Sequence, residues 1–379
     1  MDSQQLRQAF LNLKAEKSLR QRDAALALGV SEGEIVAASV GASDGPVAVR
    51  LRGDGFPALF KQVETLGSVM ALTRNESVVH EKTGPYVKLS HEGHVGLALG
   101  EEIDLRIFYG QWKHGFAHAE ETPRGPQRSL QFYDAAGTAI HKVFLKEKSD
   151  VVAYDKLVQD WRAADQSTGI AVQPAAKKDA PKPDAQIDAQ GLRTAWGAMK
   201  DTHEFFGLIK KFGAARTQAL RLAGTDYAQR VDNGAAKTVL EQAAASGLSI
   251  MCFVGNPGMI QIHTGPVSKI KIMDAWLNVL DPGFNLHLCQ DLVAETWVVR
   301  KPTQDGVVTS VELFDKDGET IAMFFGKRKP AAPSCPSGPR WPSASPRTRR
   351  WPRCRRPRSP RPPNPMQKPT PSPPTARNA

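Results

Sequence analysis

The sequence predicts an α+β fold made by tandem duplication, in which each repeat has N-terminal helices followed by a large antiparallel β-sheet and the two repeats pack together. Residues 70–148 recur as residues 251–329 at a constant offset of 181, with 17 identities in 79 aligned positions. Unrelated stretches match at roughly one position in sixteen. The identities favour turn residues, which set where strands begin and end. The two copies therefore share one strand plan.

Helical spacing opens each repeat, because the Leu-Arg-x-Ala-aromatic pattern of residues 6–10 returns at residues 192–196. Alternation of polar and apolar residues then predicts strands at 87–89 and 105–108 in the first repeat, and at 286–288 and 311–314 in the second. Asp-to-Gly segments at 134–137 and 315–318 predict hairpin turns, and the Thr-Gly-Pro runs at 83–85 and 264–266 predict another shared turn. Helices followed by strands, twice over, indicate α+β architecture.

Composition sets the predicted boundaries: a first repeat over 1–168, a linker over 169–189, a second repeat over 190–330 and a tail over 331–379. The linker is rich in Ala, Pro, Lys and Asp, which is typical of a flexible connector. The tail holds 11 Lys/Arg, no Asp/Glu and 15 of the 28 prolines, which predicts disorder. It is a solvated extension, a frame-shifted end translated from GC-rich DNA, or a basic arm for nucleic acid.

Charge and cysteine usage exclude several classes of protein. Residues 1–330 carry 39 charges of each sign, so the net charge of +11 belongs to the tail. A balanced body gives no general reason to bind nucleic acid or a membrane. The four cysteines show no paired spacing, and no apolar run approaches the ~20 residues that span a bilayer. We expect a cytoplasmic protein without membrane insertion.

Eight of the nine histidines are expected to be structural or on the surface. His80 and His263 flank the Thr-Gly-Pro runs and His287 alternates with leucines, so each is explained as a structural histidine. The remaining five lie in polar or strand-edge contexts typical of surface residues: His91, His94, His114, His118 and His141.

His203 stands apart, because it is expected in the first turn of a helix capped by Asp201 or Thr202. The positive end of a helix disfavours imidazolium, which keeps the ring neutral and able to bind a metal. Phe206 and Gly207 share its face at i+3 and i+4. Phe206 supplies an aromatic wall, and Gly207 leaves bare backbone that a flat ligand could approach. The alternative is that this histidine simply packs beside phenylalanine.

The other positions at which the repeats disagree are basic. Arg106 interrupts an apolar strand where the second repeat has a histidine, and Arg216 lies 13 residues beyond His203. Lys301 and Arg328 replace glutamates of the first repeat, which inverts two charges. Taken singly, Lys301 and Arg328 are interpreted as ordinary surface charges. Together with a neutral histidine they suit a planar apolar molecule that carries a metal and carboxylates, because arginine and lysine pair with carboxylates.

At residues 201–207, 103–108 and 324–328 the sequence resembles the bacterial cytoplasmic haemin-transport and haemin-degrading factors, the HemS/ChuS/PhuS family, whose members are tandem duplications. Trp112 and Phe116 belong to the same resemblance, which covers roughly residues 5–330. It implies non-covalent haem binding with His203 as the proximal ligand to iron and Arg106 on the opposite face. The remaining residues that it implies at the propionates or in the pocket are Arg216, Lys301, Arg328 and Phe325.

The resemblance implies two roles for this site. One is a carrier that accepts imported haem, with an inner-membrane importer as possible donor, and delivers it to a haem oxygenase or another acceptor. The other is an enzyme that opens the porphyrin ring; no flavin or nicotinamide motif is present, so its reductant would be external. A third hypothesis, from another class, is a nucleic-acid-associated regulator that uses the basic tail.

Overall fold

The structure is a computed structural model and describes residues 1–17, 19–123, 125–175 and 180–327. In the first repeat, helices come first and a run of strands follows, as predicted, except that one short strand lies among the helices and a further helix follows the last strand. The elements are α1 (Ser3–Lys17), α2 (Gln21–Leu28), α3 (Glu32–Ala37), β1 (Val47–Leu51), α4 (Phe56–Lys61), β2 (Gly67–Arg74), β3 (Val78–Pro85), β4 (Ser90–Glu92), β5 (Val95–Leu99), β6 (Asp104–Phe108), β7 (His114–Thr122), β8 (Gly125–Tyr133), β9 (Ala139–Ser149) and α5 (Val151–Trp161).

The second repeat has the same strand plan. Its elements are α6 (Ala189–Gly197), α7 (Glu204–Phe212), α8 (Arg216–Ala223), β10 (Ala228–Val231), α9 (Ala235–Ser246), β11 (Ile250–Asn256), β12 (Met259–Gly265), β13 (Ile270–Met273), β14 (Trp276–Asp281), β15 (Phe284–Cys289), β16 (Glu295–Thr303), β17 (Gly306–Phe314) and β18 (Thr320–Gly326). Short 3-10 helices occupy Gln62–Leu66, Tyr109–Gln111, Asp184–Gln186 and Gln290–Leu292.

The strands form two nine-stranded antiparallel sheets, and the repeats exchange three strands each. The first sheet has the order β1-β7-β8-β9-β2-β3-β15-β14-β13, and the second has β10-β16-β17-β18-β11-β12-β6-β5-β4. The exchanged strand β6 pairs with β12, where Arg106 lies opposite Ile260. This exchange confirms the predicted α+β duplication and carries Arg106 into the sheet of the second repeat.

A pair of equivalent asparagines joins the repeats across an approximate two-fold axis. The Asn75 side-chain amide donates to the carbonyls of Gly255 at 3.1 Å and Ile321 at 2.9 Å. Asn256 donates to the equivalent carbonyls of the other repeat, Arg74 at 3.0 Å and Ile140 at 2.8 Å. All of these partners obey the offset of 181. These equivalent hydrogen bonds explain why asparagine is one of the identities between the copies.

Because side chains alternate along β6, its two faces lie in different surroundings. Leu105 and Ile107 on β6 pack in the core of the first repeat, with α4 and α5. Arg106, between them, points to the opposite face of the second sheet. On that face α6, α7 and α8 cover the end formed by β10, β16 and β17, where Trp196 and Phe205 pack against Trp297. Helix α9 packs on the other face.

Two local predictions are wrong. Residues 87–89 form no strand: Lys88 has φ of +53°, a left-handed conformation incompatible with a β-ladder. The Thr-Gly-Pro runs do not form a turn either, because 83–85 complete β3 and 264–265 complete β12.

The prediction that His118 and His141 lie on the surface is also wrong, because both are buried. His141 receives hydrogen-bonding partners on both ring nitrogens, Thr73 at 2.8 Å and Tyr86 at 2.6 Å. His118 lies 3.2 Å from the Gln21 side chain. Their strand positions were read as polar edges, whereas helices and the second sheet cover them.

Both ends of the predicted linker contact the repeats. Near its start, Gly169 donates to the carbonyl of Ala37 and Gln173 to that of Ala135. Near its end, Gln218 on α8 donates to the carbonyl of Lys182. The domain boundaries stay a prediction, and the tail from 331 lies outside the described residues. Among the helices that are described, none has the length and apolar character needed to cross a bilayer.

Candidate functional site

His203 lies immediately before α7, at the N-cap position itself. The predictions that Asp201 or Thr202 is the N-cap and that His203 lies in the first turn are therefore wrong, because the helix begins at Glu204. One carboxylate oxygen of Asp201 accepts from the backbone N–H of His203 at 2.8 Å and lies 2.6 Å from the ring atom Nδ1. The His203 side chain is 91% exposed. Because Nδ1 is engaged, Nε2 is the nitrogen that remains for a ligand.

Helix α7 presents a stripe at helical spacing beside this histidine. Phe205, Leu208 and Ile209 face the core, so the opposite side carries Phe206 and Gly207. Phe206 is 70% exposed. A Cβ added at Gly207 would meet nothing within 4 Å. The start of the helix therefore carries an imidazole, an aromatic ring and bare backbone on one side.

The uncovered part of the second sheet provides an apolar surface. Residues paired in register share a face, and Met323, Phe253, Ile262 and Asp104 follow one another across β18, β11, β12 and β6. Phe325 lies on the same face, two residues after Met323, and its ring centroid is 5.0 Å from that of Phe253. The other half-buried or exposed apolar members are Met251, Ile260, Leu97 and Leu99.

Arg106 lies on this face, two residues after Asp104. Its guanidinium donates to the Asp104 carboxylate and to the carbonyl of Leu105 at 3.1 Å. The side chain is about one-third exposed. Arg106 and Asp104 thus form a partly solvated ion pair on a face whose other named members are apolar.

A buried carboxylate gathers two of the predicted cations. Glu312 on β17 accepts from Arg216 Nη2 at 2.7 Å, from Lys301 Nζ at 2.7 Å and from Ser310 Oγ at 2.9 Å. Burial alone would raise the pKa of Glu312, but the two cations outweigh burial and lower the pKa to about 2. Two cations and one anion leave one net positive charge at this place.

The aromatic ring of Phe205 lies next to both cations. Its centroid is 4.6 Å from Lys301 Nζ and 5.0 Å from Arg216 Cζ. Arg216 also donates to the sulfur of Met323 at 3.4 Å. The charged cluster therefore connects the core under α7 to the open apolar surface.

The predicted site residues divide into three groups. His203, Phe206 and Gly207 line one side of α7, and Arg106 and Phe325 share the open face of the sheet. Arg216 and Lys301 form the third group, because both bond to Glu312. Lys301 is 4% exposed, so it is not a surface charge and its ammonium faces a protein carboxylate. Arg328 lies outside the described residues.

Sequence reasoning missed Glu312, Phe253 and Met323. Glu312 was read as the polar member of an alternating strand, and alternation does not tell which face a helix will cover. The signal available was the charge inversion at Lys301, which required a nearby anion.

The equivalent face of the first repeat is built differently, as expected for a site that arose after duplication. Lys142 occupies the position of Met323, and Glu81 that of Ile262. Lys142 is buried and donates to Glu32 at 3.1 Å and to Gln21 at 3.0 Å. In the first repeat, helices α2 and α3 thus cover this region and form hydrogen bonds to it. The equivalent region of the second repeat is apolar and open.

Fold and site together define a class: two fused α+β repeats, one of which keeps an open apolar face beside the exposed His203. A model of the haemin-degrading HemS.ChuX domain matches residues 29–161 and 213–342. The chain belongs to this family.

Similar proteins support the assignment along nearly the whole body of the chain. The hemin transport protein HmuS of Yersinia pestis is 38% identical over 333 residues, which are 86% of this chain and 93% of that protein. Holo-PhuS, a heme-binding protein from Pseudomonas aeruginosa, is 53% identical with a TM-score of 0.84, covering 88% of this chain and 96% of its own. The heme degrading enzyme ChuS of Escherichia coli O157:H7 is 36% identical with a TM-score of 0.80, covering 87% and 96%.

Proposed function

We propose that this protein binds haem without a covalent bond, between the exposed side of α7 and the open face of the second sheet, and delivers it for iron release. The observation that carries the proposal is the His203 ring, exposed at the start of α7 with Nδ1 held by Asp201. The described residues contain no cluster of three or more His, Cys, Asp or Glu that could hold a metal ion. A lone imidazole suits a metal whose other donors come with its own ligand.

The residues present fit such a group. His203 Nε2 would be the proximal ligand, and Phe206 and Gly207 would lie against the ring on the same side. Arg106 would occupy the other side, where a guanidinium holds an anion by hydrogen bonds. Phe325 would cover the macrocycle edge.

The propionates call for positive charge, and the Glu312 cluster supplies it. Arg216 is about one-fifth exposed, whereas Lys301 is buried. Arg216 is therefore the direct partner that we propose for a carboxylate, and Lys301 acts through the net charge of the cluster. Arg328 enters only through the family resemblance.

Haem degradation is the second candidate function, favoured by the similarity to ChuS, which is described as a heme degrading enzyme. When bound, haem would supply the oxygen chemistry, and this chain would contribute Arg106 as a hydrogen-bond donor on the distal side. A haem oxygenase or other acceptor and a membrane importer as donor remain proposals, and the cytoplasmic location stays a prediction.

The test of the haem site is an absorption titration with haemin of the wild type and of His203→Ala. We expect the variant to shift the Soret band and to weaken binding at least tenfold, because the axial bond is lost. His91→Ala, in the exposed strand β4, is the control and should titrate like the wild type. An unchanged spectrum and affinity in His203→Ala would overturn the assignment.

Loading the wild type with haemin and adding a reductant, with catalase present to remove peroxide, separates the two functions. A stable Soret band, with transfer to an added haem oxygenase, supports delivery. Loss of the band with a biliverdin-like product and released iron supports degradation instead.

A further inference from the structure

We propose that Asp201 is a positioning residue of this site: its carboxylate orients the His203 ring and fixes the Nδ1–H tautomer, so that Nε2 faces the haem iron. The inference rests on the proposed function and concerns how the histidine is held. Its basis is one oxygen, Asp201 Oδ1, that lies 2.8 Å from the His203 backbone nitrogen and 2.6 Å from ring Nδ1.

The double contact constrains both the backbone and the side chain. A carboxylate is an acceptor only, so the nitrogen that faces it must carry the proton, and the lone pair of the neutral ring then resides on Nε2. The backbone bond holds Asp201 two residues upstream in a fixed turn. The Asp201 carboxylate oxygen therefore fixes the His203 ring relative to the His203 backbone.

Packing does little to orient this ring. The His203 side chain is 91% exposed, while the neighbouring Phe205 ring is buried and turned towards Trp196, with ring centroids 4.5 Å apart. Without the carboxylate, the imidazole would sample several rotamers. Haem binding would then have to fix those torsions at an entropic cost.

A carboxylate acceptor also changes the donor strength of the ring. Partners that accept from the distal nitrogen of a ligating histidine raise its basicity, and losing them costs about 10–100-fold in metal affinity or activity. A more basic imidazole favours ferric over ferrous iron, because the higher charge gains more from a stronger donor. Asp201 would therefore stabilise haem in the oxidised form in which haemin is supplied.

The experiment uses the full chain loaded with haemin, as wild type, Asp201→Asn and Asp201→Ala. Asparagine keeps an acceptor but removes the charge, and alanine removes both. We expect the preference for ferric over ferrous haem to fall about tenfold in Asp201→Ala, which raises the midpoint potential by about 59 mV for one electron. The midpoint potential of Asp201→Asn should lie between those of the wild type and Asp201→Ala. The Fe–His stretching frequency of the ferrous protein should decrease in the same order.

Asp188→Asn is the matched control, because Asp188 also accepts a backbone N–H at a helix start, from Gly191 at 2.8 Å, and contacts no histidine. It should keep the wild-type potential and frequency. If both Asp201 variants keep them too, the positioning role is refuted even where His203→Ala still alters the spectrum. If His203→Ala leaves the spectrum unchanged, the failure lies in the proposed haem ligand itself.

Discussion

Glu312 is fully buried and its carboxylate joins β17 to α8 through Arg216 and to β16 through Lys301. Burial lowers the pKa of Lys301, and Glu312 opposes that shift. A buried ion cluster contributes little beyond a well-packed apolar one, yet removing one member leaves the others unpaired in a low-dielectric site. The stability of this part of the molecule thus depends on the anion.

We therefore expect Glu312→Gln to destabilise the protein by about 3–5 kcal/mol, since it leaves two cations sharing a neutral amide. Urea unfolding followed by tryptophan fluorescence measures the change. The control is Glu241→Gln, which breaks the exposed pair with Lys237 on α9 and should have little effect. An equal loss of unfolding free energy in the two variants would show that the buried cluster stabilises the protein no more than the exposed pair does.

The sequence pointed to Lys301 and Arg216 from the disagreement between the copies, but it could not show that they face a protein carboxylate. That depends on which face of β17 the helices cover, and alternation alone leaves both faces open. His203 was found for a local reason: its neighbours on α7 obey helical spacing. Local sequence patterns were sufficient to predict helix α7. The face of β17 that the helices cover depends on tertiary packing, which the local pattern does not show.

At the scale of elements, helix α7 joins a firmly packed side to an open one. Its hydrophobic side is fixed by Phe205 and Leu208, and Gly213 at φ of +63° ends it by donating to the carbonyls of Ile209 and Lys210. The exposed side can therefore be altered without disturbing the fold. A substitution at Gly207 tests whether this exposed side binds haem.

Gly207→Leu should weaken haem binding at least tenfold while leaving the unfolding midpoint equal to or above that of the wild type. A leucine side chain would fill the open space beside His203, whereas a helical glycine costs roughly 1 kcal/mol relative to alanine. Gly207→Ala is the matched control, with the same gain in helix propensity and far less bulk. Haemin titration and thermal unfolding check both. Wild-type haem affinity in Gly207→Leu would place the ligand elsewhere.

The exchange of strands is the feature of the elements that the sequence did not reveal. The offset of 181 predicted two equal sheets, and two equal sheets are present, but β4, β5 and β6 belong to the sheet of the other repeat, which they join through the pairing of β6 with β12. Hydrogen bonds of a ladder are the same within a repeat or between repeats, so the side-chain pattern is unchanged by the swap. Only the family resemblance predicted that Arg106 reaches over from the first repeat to the second.

At the scale of the whole molecule, the repeats meet through buried histidines. Gln261 Nε2 donates at 3.0 Å to Nδ1 of His80, its own counterpart in the other repeat, and Lys82 lies 3.3 Å from its counterpart His263. Burial lowers the pKa of His263 to about 4 and that of His141 to about 3, and lowers the pKa of His80. These rings are neutral in the folded protein at neutral pH.

We expect stability to fall as the pH drops below 6.5, the ordinary pKa of histidine. In the unfolded chain these rings take up protons from pH 6.5 downwards, whereas in the folded protein His263 and His141 do so only near pH 4 and 3. The unfolded state then binds more protons, so each such ring costs up to about 1.4 kcal/mol per pH unit in this window. Below pH 4.5, Glu312, whose pKa is about 2, adds a loss of the same sign.

Urea midpoints between pH 7.5 and 5 measure this slope, and His141→Gln identifies its source. The variant loses the bonds to Thr73 and Tyr86 and should be less stable than the wild type at pH 7.5. Its stability should nevertheless fall less steeply towards pH 5, because one buried proton-binding group is gone. His91→Gln, on the exposed strand β4, should keep both the wild-type stability and the wild-type slope. An equal slope in His141→Gln would mean that acid acts through groups other than His141.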